Sequence, residues 1–404
     1  MKAHFSIFVH VDWVTMALMI VTTAVGAGYT GFLARREETA LIDFGGESTG
    51  RAMDALFRVA DRHCPPWRYF GLRPMPLTPF GAFLLSHPHE DHYNGLRAFA
   101  AQQQRDPTLR PLLTRSASFY HPRLPSDPVA TEFALRLAAL ESVERVMSGV
   151  PDFTVIRAIR RCGGITARRK PLRRGHTVKL AGETFDVLWP PDQLPEDART
   201  HLRKLVDRYD ALAEEAATEE DTHLKDALNR LREPETFDIE DALYGSAETA
   251  DEEQQGPPEQ REHDPTDKGP TRDGHDSRYT KRLGELKDAV KNGANFLSIV
   301  LASQADRRYV FLGDLDRSLH GAIAPDLLEF QPEVVSSAHH GTHFDSALET
   351  LRSRYVISSV GGKLKNNVCP EYDSMGMHLR TDRAGDIFAL MLSGRTAVCS
   401  RPTA

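Results

Sequence analysis

Short apolar runs bounded by polar turns recur through this 404-residue chain, and their length separates strands from helices. Ala82-Phe83-Leu84-Leu85, Tyr309-Val310-Phe311-Leu312 and Val334-Val335 read as short apolar strands, the 309–312 run as a buried one. Residues 14–23 read as the first core strand, with residues 1–13 as an extension and a further edge strand. After Pro195 the period changes. Leu202, Leu205, Val206, Tyr209, Leu212 and Ala213, then Leu224, Leu228 and Leu231, recur at three- and four-residue spacing and predict a helical hairpin or cap between Glu196 and Asp241. From Gly245 to Thr280 apolar residues almost vanish into an acidic, Gly/Pro-rich run. Such a run buries too little surface to order itself and reads as a flexible linker. The pattern therefore divides the chain into residues 14–194, an acidic insertion at 195–282, and residues 283–404.

The residues at the strand ends carry the candidate chemistry. His87-Pro88-His89-Glu90-Asp91-His92 comes directly after the 82–85 strand and packs imidazoles and carboxylates into one turn, a donor set suited to zinc or another first-row metal. Two histidines one residue apart can point the same way, while Asp91 and His92 diverge toward a second ion. Gly313-Asp314 ends the 309–312 strand, where a glycine permits a tight turn and Asp314 could bridge two cations. His339-His340-Gly341-Thr342 follows the 334–338 strand, and one of its histidines completes the second site. A solvated His/Asp loop is the bland alternative. The density of donors and the downstream partners speak against it.

In this order, His-x-His-x-Asp-His, Gly-Asp and His-His-Gly-Thr resemble the metallo-β-lactamase superfamily. More narrowly they are similar to the metal-hydrolase domain of DNA-uptake competence proteins and allied phosphodiesterases. Leu41-Ile42-Asp43-Phe44-Gly45-Gly46 resembles the family's first motif, in which the Asp supports the histidine loop from behind. Val178-Lys179-Leu180 with the 185–191 run is similar to the mid-domain hairpin. Asn295 to Leu301 resembles the strand before Gly-Asp, and Tyr355 to Gly361 with Thr381 to Asp386 the closing segment. The resemblance covers most of residues 19–194 and 288–404.

It implies an α/β protein, an αββα sandwich in which each half contributes a mixed sheet and outer helices, with two divalent metal ions, zinc or manganese. By the resemblance, His87 and His89 hold the first metal, Asp91 and His92 the second, Asp314 bridges them, and His339 joins the second. His340 is left for the substrate oxygen or the leaving group, and Asp91 doubles as the acceptor that orients a metal-bridging hydroxide. The chain departs from the competence branch in two places. Ala24-Val25-Gly26-Ala27-Gly28-Tyr29 keeps the glycines of the opening hairpin without its acids, and Val368-Cys369-Pro370 stands where Gly-His-Pro is expected. Both changes fall on the substrate rim. His121 is the best-placed candidate for a third-motif histidine, which the competence pattern often lacks.

Composition is that of ordinary soluble protein, with 40% apolar and 26% charged residues. Cys64, Cys162, Cys369 and Cys399 lack Cys-x-x-Cys spacing, which favours free thiols in a reducing compartment, the cytoplasm. The apolar stretch from Phe5 to Val21 is broken by His10, Asp12 and Thr15 and is too short to span a bilayer, so no membrane role is expected. Charge changes the picture more. Residues 195–280 hold 25 acidic and 11 Lys/Arg side chains, a net of −14, which leaves +7 on the remainder of a chain whose total is −7. Arg168, Arg169, Lys170, Arg173 and Arg174 crowd one basic stretch suited to phosphates and nucleic acid, or to docking the chain's own acidic insertion. The expected function is a metal-dependent hydrolase acting on a phosphodiester, a phosphodiesterase or nuclease. A hydrolase of a carbonyl substrate such as a lactam or thioester, and a non-catalytic regulatory module that meets a protein partner through the insertion, are the alternatives.

Overall fold

The computed structural model describes residues 18–60, 79–147, 154–218, 239–245 and 284–401, less short gaps at 26–27, 36–37, 47, 286–289, 291, 305–307 and 393–394. The expectations placed on residues 1–17, on Leu224, Leu228 and Leu231, and on the linker beyond Gly245 lie outside the described residues. Strands are numbered in chain order. One sheet runs β15 (Arg395–Arg401), β14 (Asp386–Leu392), β1 (Leu18–Thr22), β2 (Thr30–Arg35), β3 (Glu38–Phe44), β4 (Phe80–Leu84), β5 (Leu113–Pro122), β6 (Arg168–Leu172). The other runs β13 (Met377–Arg380), β12 (Tyr355–Ser358), β11 (Val334–Ser336), β10 (Tyr309–Phe311), β9 (Val300–Ser303), β8 (Glu183–Trp189), β7 (Thr177–Leu180).

Strand alternation builds two separate cores. Leu18, Ile20, Ala40, Ile42, Ala82 and Leu84 of the first sheet share one cluster with Phe185, Val187, Leu301, Tyr309, Phe311 and Val334 of the second, so those faces meet. The intervening residues Met19, Val21, Leu41, Phe83, Val300, Val310 and Val335 point outward into a cluster shared with the helices. Strands buried on both faces need the unbroken apolar runs seen in the sequence. The result is an αββα sandwich.

The helices are crossover connections. Helices α1 (Thr49–Ala60) and α2 (Asn94–Arg105) link β3 to β4 and β4 to β5, which pair in parallel. Helices α3 (Pro128–Met147) and α4 (Val155–Arg161) link β5 to β6, also parallel. Parallel neighbours require such crossovers, and they bring the carboxyl ends of β3, β4 and β5 to one edge. Across the sandwich β10, β11, β12 and β13 are parallel as well. Helix α5 (Glu196–Thr218), the first piece of the insertion, buries Leu202, Val206, Tyr209 and Ala213 in the outer core and pairs Asp210 with Arg136 of α3 at 2.8 Å. It is a packed layer of the sandwich and not a detached cap.

The expectation that each half of the chain supplies its own sheet needs correction. Strands β7 and β8 precede the insertion yet join the second sheet, and β14 and β15 follow it yet belong to the first, β14 pairing with β1 and β15 with β14. The two halves therefore exchange strands.

Candidate metal centre

Four strand ends converge, those of β3, β4, β10 and β11. Asp43 ends β3 with φ at 50°, a left-handed conformation that a non-glycine residue adopts only when its surroundings impose it. The imposition is visible. Its fully buried carboxylate accepts from the Ser86 backbone N–H at 2.7 Å, from Ser86 Oγ at 2.7 Å and from His92 Nδ1 at 2.8 Å. With Nδ1–H committed to Asp43, His92 turns its Nε2 into the site. His87 is oriented alike, since Ser86 Oγ lies 3.0 Å from its Nδ1 and its Nε2 sits 2.8 Å from His89 Nδ1. The turn itself is tied by His89 N–H to the His87 carbonyl and His92 N–H to the His89 carbonyl. It presses against Gly28 and Gly45, at both of which a Cβ would overlap the Asp91 carbonyl.

From the second sheet, β10 delivers Asp314 through Gly313 at φ 56°. The Asp314 N–H donates to Ser298 Oγ at 2.8 Å, an oxygen that a side chain on Gly313 would displace. One oxygen of Asp314 then faces four imidazoles. Oδ2 lies 3.3 Å from His340 Nε2, 3.4 Å from His92 Nε2, 3.8 Å from His339 Nε2 and 3.9 Å from His87 Nε2. After β11, His339 and His340 both take left-handed φ angles, 45° and 60°. Their turn is fastened by His339 N–H to the Gly313 carbonyl at 3.0 Å and by Ala338 N–H to Tyr372 Oη at 3.1 Å.

Charge is balanced inside this cluster. Burial alone would raise the Asp314 carboxyl, yet His340 and His92 hold it well below the usual range. Burial works against charge on His92, but Asp314 and Asp43 keep its pKa well above the ordinary value; His340 is raised in the same way by Asp314. For His87 burial dominates, helped by His92 and His89, and pushes it well down. His339 is lowered to about 3, first by burial. Burial would raise Asp91, yet it stays below its usual value because His92, His89 and His340 outweigh that effect. Burial raises Asp43 against the pull of His92.

Among the described residues, two overlapping donor groups have the reach to hold a cation: His87, His92 and Asp314, and Asp91, His92 and His340, with the donor atoms of each group within 4.8 Å of one another. Buried imidazole nitrogens turned inward around anionic carboxylates are a donor set that fits divalent ions. The two histidines after β11 are placed unequally. His340 is buried and stands with Asp91 and His92, whereas the His339 side chain is 28% exposed and caps the open side of Asp314.

Solved structures similar to the chain include metallo-β-lactamase fold proteins. YhfI from Bacillus subtilis is 8% identical, covering 90% of this chain and 96% of that one with a TM-score of 0.37. The metallo-β-lactamase GOB-18 from Elizabethkingia meningoseptica is 18% identical over 40% of this chain and 44% of its own, with a TM-score of 0.22. The metallo-β-lactamase family protein TTHA1429 from Thermus thermophilus is 23% identical over 43% and 51%, with a TM-score of 0.22. No family model and no curated protein matches the chain. The architecture stands on the strand pairing and the two cores, and the site on its own distances.

Other residues singled out in the sequence lie elsewhere. His121 ends β5 fully buried, its Nδ1 3.0 Å from the Pro122 carbonyl and its ring 4.2 Å from that of Tyr244, and it belongs to neither donor group. The basic stretch forms β6, an edge strand, and the turn that follows it. Arg169 pairs there with Asp241 of the insertion at 2.6 Å, Arg173 with Asp192 at 2.6 Å and Arg174 with Asp326 at 2.7 Å, while Arg168 is exposed and Lys170 Nζ meets Ser118 Oγ at 2.8 Å. Two residues escaped the sequence reading. Ser86 orients Asp43, His87 and His92 together, and its position directly before the first histidine was the available signal. Ser298, sixteen residues before Asp314, carried no local signal at all. Among the described residues, no helix is long and apolar enough to cross a membrane.

Proposed function

We propose that this chain is a metal-dependent hydrolase with two divalent cations, zinc favoured by its imidazole donors, and that its substrate is a phosphodiester of the nucleic-acid class. The observation that carries the reading is the Asp314 carboxylate oxygen, set within 3.9 Å of Nε2 atoms from His87, His92, His339 and His340. His87 Nε2 and His89 Nδ1 would hold the first ion, Asp91, His92 Nε2 and His340 Nε2 the second, with Asp314 between them. Divalent ions bound here supply Lewis-acid polarisation of the attacked oxygen and a water acidified toward neutrality. Asp43 fixes the His92 tautomer. Asp91, ionised at neutral pH, is able to accept a hydrogen bond from the attacking water. His339 and His340 exchange the roles suggested by the resemblance, because His340 is the buried member and His339 the one at the mouth, positioned to meet the leaving-group oxygen.

The charge of +7 outside residues 195–280 supports a phosphate-bearing substrate over an uncharged one. The free thiols of Cys162, Cys369 and Cys399 support a reducing compartment, the cytoplasm. A direct test assays the metal-loaded protein on bis-p-nitrophenyl phosphate, on nitrocefin and on DNA across a salt series. Turnover of the phosphodiester with salt-weakened DNA binding is expected. Turnover of nitrocefin with an inert phosphodiester would move the assignment to carbonyl substrates, and inertness toward both would leave a binding module.

A further inference from the structure

Behind the His339-His340 turn, away from the cations' side, lies a chain of side chains with the spacing of a hydrolase triad. Asp373 Oδ1 is 2.9 Å from His378 Nδ1, His378 Nε2 is 2.7 Å from Ser358 Oγ, and Ser358 Oγ is 2.6 Å from Ser337 Oγ. A nucleophilic serine must meet its substrate, and Ser358 has no exposure, lying on β12 between β11 and β13. Chemistry at Ser358 is excluded by that burial. The direction of the hydrogen bonds suggests another role. If Asp373 accepts from His378 Nδ1–H, then Nε2 accepts from the Ser358 hydroxyl, and the Ser358 oxygen accepts from the Ser337 hydroxyl, so every proton has a place. Ser337 is the residue that enters the metal turn, immediately before Ala338, His339 and His340. Ser358 also bears on the far side of that turn, since its Oγ occupies the space a Cβ on Gly341 would need. Ser358 thus bonds the residue that precedes this turn and lies against the glycine that follows the left-handed pair His339 and His340.

We propose that Asp373, His378, Ser358 and Ser337 form a positioning relay that locks the His339-His340 turn, holding His340 Nε2 toward Asp314. The inference rests on the reading of His340 as a ligand of the second cation. Ligand-supporting hydrogen bonds of this kind are worth about 10–100-fold in metal affinity. The relay acts on one site only, because His87 is oriented from Ser86 on the other sheet and His89 meets His87 in turn.

Calorimetric titration of metal-free protein with zinc reads both sites without reference to turnover. Wild type is expected to show two binding events. Ser358→Ala and His378→Ala should weaken one of them by about 10-fold or more and leave the other unchanged. His378→Gln, which keeps an amide able to bond Ser358 Oγ, should recover most of the loss. Asp373→Ala removes only the exposed end of the relay, since it takes away the acceptor for His378 Nδ1–H, and keeps the test alive if the buried variants fail to fold. Two unchanged events in Asp373→Ala and in every folded relay variant would overturn the relay alone; absence of binding by wild type would overturn the cation reading and the relay with it.

Discussion

At the residue scale the chain commits several buried polar groups to a small volume, and each has a nameable duty. Asp43 is the sharpest case, a fully buried carboxylate in a left-handed conformation with three donors on it. Asp43→Ala should free the His92 ring and cost about 10–100-fold in zinc affinity, read by competition with a chromophoric chelator; unaltered affinity would remove Asp43 from the account. His121 provides a pH test independent of the metals. Its pKa falls to about 3 in the fold, first through burial, against 6.5 for the ordinary side chain. Between those values the unfolded chain binds a proton that the folded chain refuses, so stability is lost as pH drops from 6.5 toward 3. In urea unfolding at about pH 7 and about pH 4.5, His121→Gln should lose about 2 kcal/mol less stability than wild type over that interval. An equal loss in both would contradict the burial of a neutral imidazole. The residues of the buried His/Asp cluster were legible because imidazole and carboxylate cluster locally after apolar runs. Which of His339 and His340 is the buried one was not, since it depends on two backbone φ angles that adjacent histidines do not announce.

At the element scale, apolar runs told strands from helices well. The 82–85, 309–312 and 334–335 runs became β4, β10 and β11 because both faces of these strands are covered. The three- and four-residue spacing from Leu202 to Ala213 became α5 for the corresponding reason, one apolar stripe against one core. Partnership between strands was not legible. Whether β8 or β14 pairs left or right is decided by long-range registry, on which the local alternation is silent. Close approach was equally hidden: Gly45 matters because β3 runs against the backbone of the histidine turn. Gly45→Ala must push that turn away from Asp43, costing about 1–3 kcal/mol and weakening metal binding together. Retention of both in thermal melts and zinc titration would show that the turn has slack.

For the whole molecule, the exchange of strands makes the two chain halves one folding unit. Asp386, fully buried at the start of β14, holds Arg58 of α1 through Nε at 2.8 Å and accepts from Ala24 N–H at 2.9 Å. The last sheet strands are thereby clamped to the first. Arg58→Ala strips the buried Asp386 carboxylate of its charged partner, leaving the Ala24 N–H, and should destabilise the whole sandwich by about 3–5 kcal/mol in a single cooperative transition. Two separate transitions would instead mean that the halves fold independently.

The convergence of strand ends from both sheets on Asp314 is the central claim, and metal stoichiometry tests it most directly. Elemental analysis of zinc-loaded, desalted protein should find two equivalents per chain in wild type and at most one in Asp314→Ala. No tightly held metal in wild type, or two equivalents retained without Asp314, would contradict it.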